Sequence, residues 1–449
     1  MGGTAATPRM RPFLAATPAF AAGSDSPRAF LERCLSVIAE REAEVRAFVV
    51  LDIGKARIAA DESTQRWRSG RQLSPIDGMP VGIKDIIETI DMPTGMGSPL
   101  FEGWRSGRDA ASVKALREAG AIILGKTVTT EFAATHPNVT RNPWDLNRTP
   151  GGSSSGSAAA VGCGMVSAAL GTQVIGSIIR PASFCGCVGF KPTVGAINRG
   201  GSHDYLSQSA LGVLAADLAD AWQVMKEMAK RCGGDPGTAG LDGPAVLPEA
   251  SRPARLALIR TAGWETASDD ARKAFDLACA RLAEAGVEFA DASDDEAISC
   301  VETAINDAQA VSRAINAWEL RWPLNTYRDR DFSKLSRAMQ ERLAQAEAMS
   351  QEDYQAAIAK RDRARLLHAA LSDRYEAAIT LSAPGAAPPG LSSTGDPIFA
   401  VPASLLGVPA MSLPLLTVGG LPLGLQLIGF SGRDASLFGA AGWVSGQLS

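Results

Sequence analysis

The chain has 449 residues, 46% hydrophobic and 20% charged, so it can bury a large core and is not a disordered protein. Its 44 Lys and Arg against 48 Asp and Glu give a net charge of −4, which excludes the basic excess typical of nucleic-acid-binding proteins. There is no apolar run long enough for a membrane span and no CxxC pair, so we expect no membrane association, disulfide framework or metal site, and a cytoplasmic location.

The first half of the chain predicts alternating helices and strands. Residues 1–25 are interpreted as an N-terminal extension, and Ser26 followed by Pro27 is typical of a helix start. The elements predicted beyond this point are a strand over 45–51, a polar helix to about residue 67, a buried strand over 79–84, a helix over 109–119 and a strand over 121–124. This alternation is typical of α/β layered proteins.

The middle of the chain contains a long polar loop at 138–156, and loops of that length are usually functional. An Ala- and Gly-rich segment over 157–170 predicts a helix that its neighbours can approach closely. The following residues, 171–189, are rich in Gly and show no amphipathic period.

The second half predicts a charged helical cap at about 295–375, inserted between apolar strands. These strands are predicted over 254–259, 377–381, 411–416 and 423–428. We therefore expect residues 26–449 to form a single α/β domain whose sheet uses both ends of the chain.

Two motif matches are rejected on their context. The P-loop pattern from Gly120 to Thr127 has a predicted strand, Ala-Ile-Ile-Leu, where the phosphate loop should be. The G-x-S-x-G pattern at 152–156 follows a polar loop instead of an apolar strand, and the later His203 and His368 lie in no recognisable catalytic context. With so few histidines, a hydroxyl nucleophile would need another base, for which a buried lysine is the obvious candidate.

The two polar loops resemble the core of the amidase signature family. The chain reads Pro150-Gly-Gly-Ser153-Ser-Ser-Gly-Ser and then Gly171-Thr-Gln-Val-Ile-Gly-Ser177-Ile-Ile-Arg-Pro-Ala182. Upstream, Gly78-Met-Pro-Val-Gly-Ile-Lys84-Asp85 is similar to the lysine segment of that family. Several short matches are most similar to malonamidase. The resemblance implies an α/β fold with a large mixed, mostly parallel sheet sandwiched between helices.

The resemblance also implies a Ser-cisSer-Lys triad. Ser177 would be the nucleophile, and Ser153, 177 − 153 = 24 positions earlier, would link it to the base Lys84. The oxyanion hole would consist of backbone amides of the segment 174–177, that is Val174, Ile175, Gly176 and Ser177. Thr172 and Ser154 would support Ser153.

Ile175 differs from the usual pattern of that family, and Arg180 has two interpretations. Relatives usually have Gly where Ile175 precedes Gly176-Ser177, and an isoleucine would be strained there if the position required φ > 0. Arg180 resembles a clamp for a substrate carboxylate, but a structural arginine that ties the loop to the core is an equal alternative.

The predicted function is hydrolysis of a carbon–nitrogen bond in a small-molecule amide, on a substrate with or without a carboxylate, and without a cofactor. Three alternatives stay open: the amidase subunit of a tRNA-dependent amidotransferase, an esterase or urethane hydrolase with the same triad, and a non-catalytic binding partner. Whether the chain forms a homodimer is also open.

Overall fold

A computed structural model describes residues 8–449 and contains one continuous sheet. Its eleven strands are, in chain order, β1 (Phe48–Leu51), β2 (Pro80–Lys84), β3 (Ile122–Thr127), β4 (Ala168–Gln173), β5 (Val188–Lys191), β6 (Ala210–Ala215), β7 (Arg255–Leu258), β8 (Glu288–Ala290), β9 (Ala377–Leu381), β10 (Ala410–Val418) and β11 (Leu421–Ile428). Their spatial order is β1-β3-β2-β4-β6-β5-β10-β11-β9-β7-β8. Strands from both ends of the chain thus enter one sheet, as expected.

Helices cover both faces of this sheet. The α-helices of the described residues are α1 (Thr17–Ala21), α2 (Pro27–Val45), α3 (Ile53–Arg68), α4 (Ala111–Glu118), α5 (Ser155–Gly162), α6 (Ile179–Cys185), α7 (Leu218–Cys232), α8 (Asp269–Glu284), α9 (Glu296–Ile305), α10 (Ala308–Asp331), α11 (Arg337–Ala348), α12 (Gln351–Ala369), α13 (Val401–Leu406) and α14 (Asp434–Leu448). In β4, Ala168 and Leu170 pack into one core while Ala169 packs into another, because successive side chains of a strand point to opposite faces. The α/β architecture is confirmed.

The sheet is mixed, but the expectation that it is mostly parallel was wrong. The pairs β2–β3, β2–β4, β7–β8 and β7–β9 are parallel, and the other six pairs are antiparallel. A buried apolar strand has the same composition in either direction, so direction depends on the connection. At the end of the chain, β10 and β11 are joined by the short turn Gly419-Gly420, which permits only an antiparallel hairpin.

The predicted helix over 157–170 was also wrong in extent. The helix α5 ends at Gly162, Gly164 has φ +78°, and Ala168 begins the strand β4. Both elements are completely buried, so neither shows the alternation or the amphipathic period that would separate a strand from a helix.

Small residues let α5 lie very close to its neighbours. A Cβ at Gly156 would stand 2.2 Å from the carbonyl oxygen of Ala47, and one at Gly162 would stand 2.3 Å from that of Cys185. These contacts are with backbone atoms, which cannot move aside as a side chain can. The start of α5, and with it the polar loop before it, is therefore held at a fixed depth in the core.

The described part of the N-terminal segment packs onto the domain. Phe13 and Phe20 are buried and contact Phe30 of α2 edge to face. The backbone N–H groups of Phe13 and Leu14 donate to the carboxylate of Asp220 in α7. The segment is thus anchored to the domain through Phe13 and Phe20, while its other residues are partly or fully exposed.

The predicted cap region is helical. It consists of α9 to α12, and α10 is kinked at Trp322, whose φ and ψ of −105° and 124° are not helical. Apolar residues of α9 and α10, including Val301 and Ile315, share a core with Val401 of α13. The cap therefore stands over the part of the domain that carries α13. None of the described helices is long and apolar enough to cross a membrane.

Candidate active site

The site lies at the carboxyl edge of two parallel strands. Lys84 is the last residue of β2, and Thr172 lies in the last part of β4. The two strands are neighbours, with Ile83 opposite Leu170. Because the carboxyl ends of parallel strands meet at one edge, where loops leave the sheet, the lysine and the threonine come together at a typical location for a binding site.

Lys84 is completely buried and forms two short hydrogen bonds. Its Nζ donates to Ser153 Oγ at 2.8 Å and to Thr172 Oγ1 at 3.0 Å. Burial lowers the pKa of Lys84 to about 7, because the ammonium loses its hydration, and the negative charge of Asp204 opposes this shift. A lysine with this pKa is partly neutral at pH 7 and can accept a proton.

Ser153 and Ser154 precede α5 and connect the two polar loops. The Gly152–Ser153 peptide bond is cis, as the resemblance implied. Ser154 donates from its hydroxyl to the carbonyl of Thr172 and from its N–H to the carbonyl of Ser177, both at 3.4 Å. Thr172 bonds to Lys84, so it supports Ser153 through the lysine that both contact. Within residues 8–449, no direct hydrogen bond joins Ser153 Oγ to Ser177 Oγ.

The segment 174–177 presents free backbone donors. Across the described chain, the N–H groups of these four residues find no hydrogen-bond acceptor. The side chain of Gln173 holds the start of α6, since its Oε1 accepts from the N–H groups of Ile178 and Ile179 at 2.8 and 3.0 Å. Ser404 of α13 donates to the carbonyl of Ile175 at 3.0 Å. The loop is thus fastened by its carbonyl and by the residues after it, while its amides stay available for an oxyanion.

Ile175 is accommodated without the strain considered above. The described non-glycine residues with positive φ are Arg46, Met96, Phe132 and Ala133, and Ile175 is not among them. Its side chain is half-buried and lines the cavity beside Ser177. The isoleucine therefore narrows the space for the substrate but does not distort the loop.

Arg180 is tied to the loop that carries Ser153. Its Nη2 donates to the carbonyl of Gly152 at 2.6 Å and to Thr394 Oγ1 at 3.1 Å, whereas the buried Nε has no partner. Burial lowers the pKa of Arg180 to about 10, against the opposing charge of Asp396. Of the two interpretations of Arg180, these contacts favour the structural one.

Ser177 opens into a cavity of about 290 Å³ between the loops and the cap. The lining includes aromatic rings, namely Phe132, His203, Tyr205, Trp322 and Tyr327. Its charged side chains are Arg180, Asp204, Arg313, Glu319 and Arg342. The volume suits a small organic molecule. No three His, Cys, Asp or Glu side chains of residues 8–449 come together in a way that could hold a metal ion.

The structure brings together all the site residues that the sequence indicated, and it adds others. Gln173 and Ser404 position the amide-bearing loop, and Asp204 acts on the charge of Lys84. Gln173 lies within the Gly-Thr-Gln segment of the motif, but the sequence does not indicate that its side chain holds the start of α6. Ser404 lies 229 positions from Ile175, and no local pattern links the two.

Comparisons with known proteins establish the family of the chain. A family model described as Amidase matches residues 29–438, nearly the whole chain. The chain belongs to the amidase family. It matches the A-type subunit of glutamyl-tRNA(Gln) amidotransferase from Anaeromyxobacter sp. (strain K) at 32% identity, over 95% of this chain and 94% of that protein. Family membership supports an enzyme that acts on carbon–nitrogen bonds, either a hydrolase or an amidotransferase.

Solved structures of the amidase family share the fold of this chain. One described as an amidase has a TM-score of 0.84 at 28% identity, and the alignment covers 98% of this chain and 100% of that one. The peptide amidase from Stenotrophomonas maltophilia has a TM-score of 0.76 at 28% identity, with 96% of each chain covered. The closer similarity to malonamidase stays a prediction.

Proposed function

We propose that this amidase-family chain hydrolyses the amide bond of a small molecule through an acyl-enzyme on Ser177. The observation that carries the proposal is the 2.8 Å hydrogen bond between Lys84 Nζ and Ser153 Oγ, at a lysine whose burial brings its pKa to about 7. A base with a pKa near the working pH combines a usable neutral fraction with sufficient basicity.

In the proposed reaction, neutral Lys84 takes the hydroxyl proton of Ser153 while Ser153 takes that of Ser177. Ser177 Oγ then bonds to the carbonyl carbon, and the carbonyl oxygen becomes an oxyanion that the amides of 174–177 stabilise. One such donor typically contributes roughly 2.7–4 kcal/mol. The proton returns through Ser153 to the leaving nitrogen as the carbon–nitrogen bond breaks. Water then attacks the acyl-enzyme by the same path and releases the acid.

The relay needs contact between the two serines, and this contact is expected to form with bound substrate. Hydrogen bonds between catalytic groups are often long without substrate and shorten in the complex. The carbonyl of Ser177 is already linked to the N–H of Ser154, so the two loops are joined next to the missing contact. The proposed relay therefore requires Ser177 Oγ to come within hydrogen-bond distance of Ser153 Oγ in the substrate complex.

The nucleophile is tested by treating the protein with a fluorophosphonate and locating the adduct by mass spectrometry. We expect phosphonylation of Ser177, its loss in Ser177→Ala, and a strong reduction in Ser153→Ala. Labelling of Ser154 would instead support the rejected hydrolase elbow. Absence of any label would favour a non-catalytic family member.

The substrate class is tested with matched amide and ester pairs. An amidase is supported if the ratio of kcat/KM for the amide to that for the ester exceeds the ratio of their uncatalysed hydrolysis rates. Turnover of the ester or urethane alone would support the alternative hydrolase.

A second candidate function is that of an amidotransferase component, which is favoured by the 32% identity to the A-type subunit of glutamyl-tRNA(Gln) amidotransferase over 95% of this chain. Activity assays on the isolated protein distinguish an amidase from an amidotransferase component. Full hydrolysis of small amides without other proteins supports the amidase. Activity that appears only when further subunits co-purify supports the amidotransferase.

A further inference from the structure

Two arginines of the cap reach the cavity without an acidic partner. Arg313 lies on α10 and Arg342 on α11, and both line the cavity beside Ser177. Among the described residues, neither guanidinium takes part in a hydrogen bond or an ion pair. Other cap arginines do have acidic partners, in the pairs Arg328–Glu347, Arg337–Glu341, Arg361–Asp362 and Arg374–Asp295. The unpaired arginines of the cap thus include two that face the same cavity.

The two guanidinium groups are close enough to repel each other. Burial lowers the pKa of Arg342, and the positive charge of Arg313 lowers it further. Arg342 is half-buried, but none of its nitrogens is among the buried polar atoms without a partner, so they stay accessible from the cavity. Arg313 is exposed, so water screens part of this repulsion, and an anion bound between the two guanidinium groups would relieve the rest.

The other charged groups of the cavity do not supply that anion. Glu319 accepts from the N–H of Ser207 at 2.7 Å and from the hydroxyl of Tyr354 at 3.0 Å. Asp204 lies within electrostatic range of Lys84 and pairs with neither arginine. Arg180, the third arginine, is bonded to Gly152 and Thr394. Of the three arginines of the lining, only the two cap arginines make no hydrogen bond to the protein within the described residues, so their N–H donors are available to an anion.

We propose that Arg313 and Arg342 together bind an oxyanion, a carboxylate or a phosphate, that the substrate carries at a distance from its scissile amide. A planar guanidinium donates two parallel N–H bonds to such a group, which gives direction as well as charge. The statement that a substrate carries this anion rests on the proposed function. Binding of an anion by the two arginines does not rest on it. The cap would thus select acidic amides while the loops below perform the chemistry.

The binding experiment uses Ser177→Ala protein, in which turnover is blocked, with glutarate and inorganic phosphate as probes in calorimetry at low salt. We expect binding of at least one probe, and a loss of affinity of at least about tenfold in Arg342→Gln and in Arg313→Gln, as for a charged hydrogen bond. Arg337→Gln is the matched control, because this exposed arginine is on the same helix α11 and pairs with Glu341. Tighter binding of glutarate indicates a carboxylate, and tighter binding of phosphate indicates a phosphate.

A kinetic experiment links the site to the reaction. The ratio of kcat/KM for glutaramic acid to that for pentanamide should fall at least about tenfold in Arg342→Gln and stay unchanged in Arg337→Gln. Equal affinity of both probes for the Arg342→Gln, Arg313→Gln and control proteins would overturn the proposal. If the protein binds the probes through these arginines but hydrolyses no amide, the anion site is supported and the proposed function is contradicted.

Discussion

Ser404 Oγ lies 3.0 Å from the carbonyl oxygen of Ile175, to which it donates a hydrogen bond from a helix 229 positions away in the chain. The same hydroxyl accepts from Gln173 Nε2 at 3.1 Å. One buried serine thus connects the end of β4, the amide-bearing loop and α13. We expect this connection to keep the four free amides aligned.

Loss of this hydroxyl should reduce catalysis more than stability. For Ser404→Ala we expect kcat to fall about tenfold with little change in KM, because small displacements of an oxyanion donor weaken transition-state binding selectively. The free energy of unfolding should fall by only about 1 kcal/mol. Steady-state kinetics and urea unfolding measure both. An unchanged kcat would mean that the loop holds its position without Ser404.

A comparison of two completely buried lysines with the same lowered pKa can identify the catalytic base. Burial lowers the pKa of both Lys84 and Lys191 to about 7, but Lys191 donates to the carbonyl of Pro192 and Lys84 to Ser153. In the wild type, kcat/KM should rise as pH increases through about 7, because the neutral lysine is the active form. Lys84→Met should lose this rise and most of the activity, whereas Lys191→Met should keep the rise at the same pH. A pH profile that follows Lys191 instead would refute the assignment.

Asp204 should set the position of that pH profile. Its carboxylate favours the protonated form of Lys84 and so raises the lysine pKa. In Asp204→Asn, the pKa of Lys84 should fall, and the rise in kcat/KM should begin at lower pH. The measurement is the same pH series on the variant. A shift toward higher pH would contradict the direction of the electrostatic effect.

Arg180 should matter equally for acidic and neutral substrates. Its bonds to Gly152 and Thr394 hold the loop of Ser153, so Arg180→Gln should lower kcat for glutaramic acid and pentanamide alike, with their ratio unchanged. Steady-state kinetics with both substrates measure that ratio. A selective loss for the acid would support the alternative in which Arg180 clamps a carboxylate.

The close packing of α5 gives a test of stability. Gly156→Ala should lower the free energy of unfolding by about 1–3 kcal/mol, since its Cβ would meet the carbonyl of Ala47 and the N–H nitrogen of Val128. Gly446→Ala in α14 is the matched control, with open space around the added Cβ, and should stabilise the protein by up to about 1 kcal/mol. Urea denaturation of both variants measures the difference. Equal stability of the two would show that the backbone around α5 can move aside.

Local signals in the sequence predicted most elements of the fold, and the resemblance to the amidase signature family indicated all three proposed triad residues. Pro27 and Ser26 mark the start of α2, and the Gly-Ser loops preserve their spacing. Strand direction and the true extent of α5 were missed, since completely buried segments carry no periodicity. The strands β5 and β6 were hidden for the same reason.

The rest of the site depends on contacts between distant parts of the chain. In the sequence, Asp204 is an ordinary polar loop residue. Its effect on the pKa of Lys84 arises only because the fold brings the two side chains near each other. Arg313 and Arg342 lie in helices where most charged residues are solvated, so composition could not separate them from arginines such as Arg337. Their position on the cavity wall, together with the absence of acidic partners, identifies them, and both are visible only in three dimensions.

The kinked helix α10 and its neighbour α11 supply part of the cavity wall, while Lys84, Ser153 and Ser177 all belong to the sheet and its loops. One part of the cavity wall is therefore encoded in a stretch of the gene separate from the proposed catalytic residues. Mutations in the cap can alter the range of accepted compounds over generations while the hydrolytic apparatus remains intact. Such a division makes this chain a favourable starting point for laboratory evolution confined to α10 and α11.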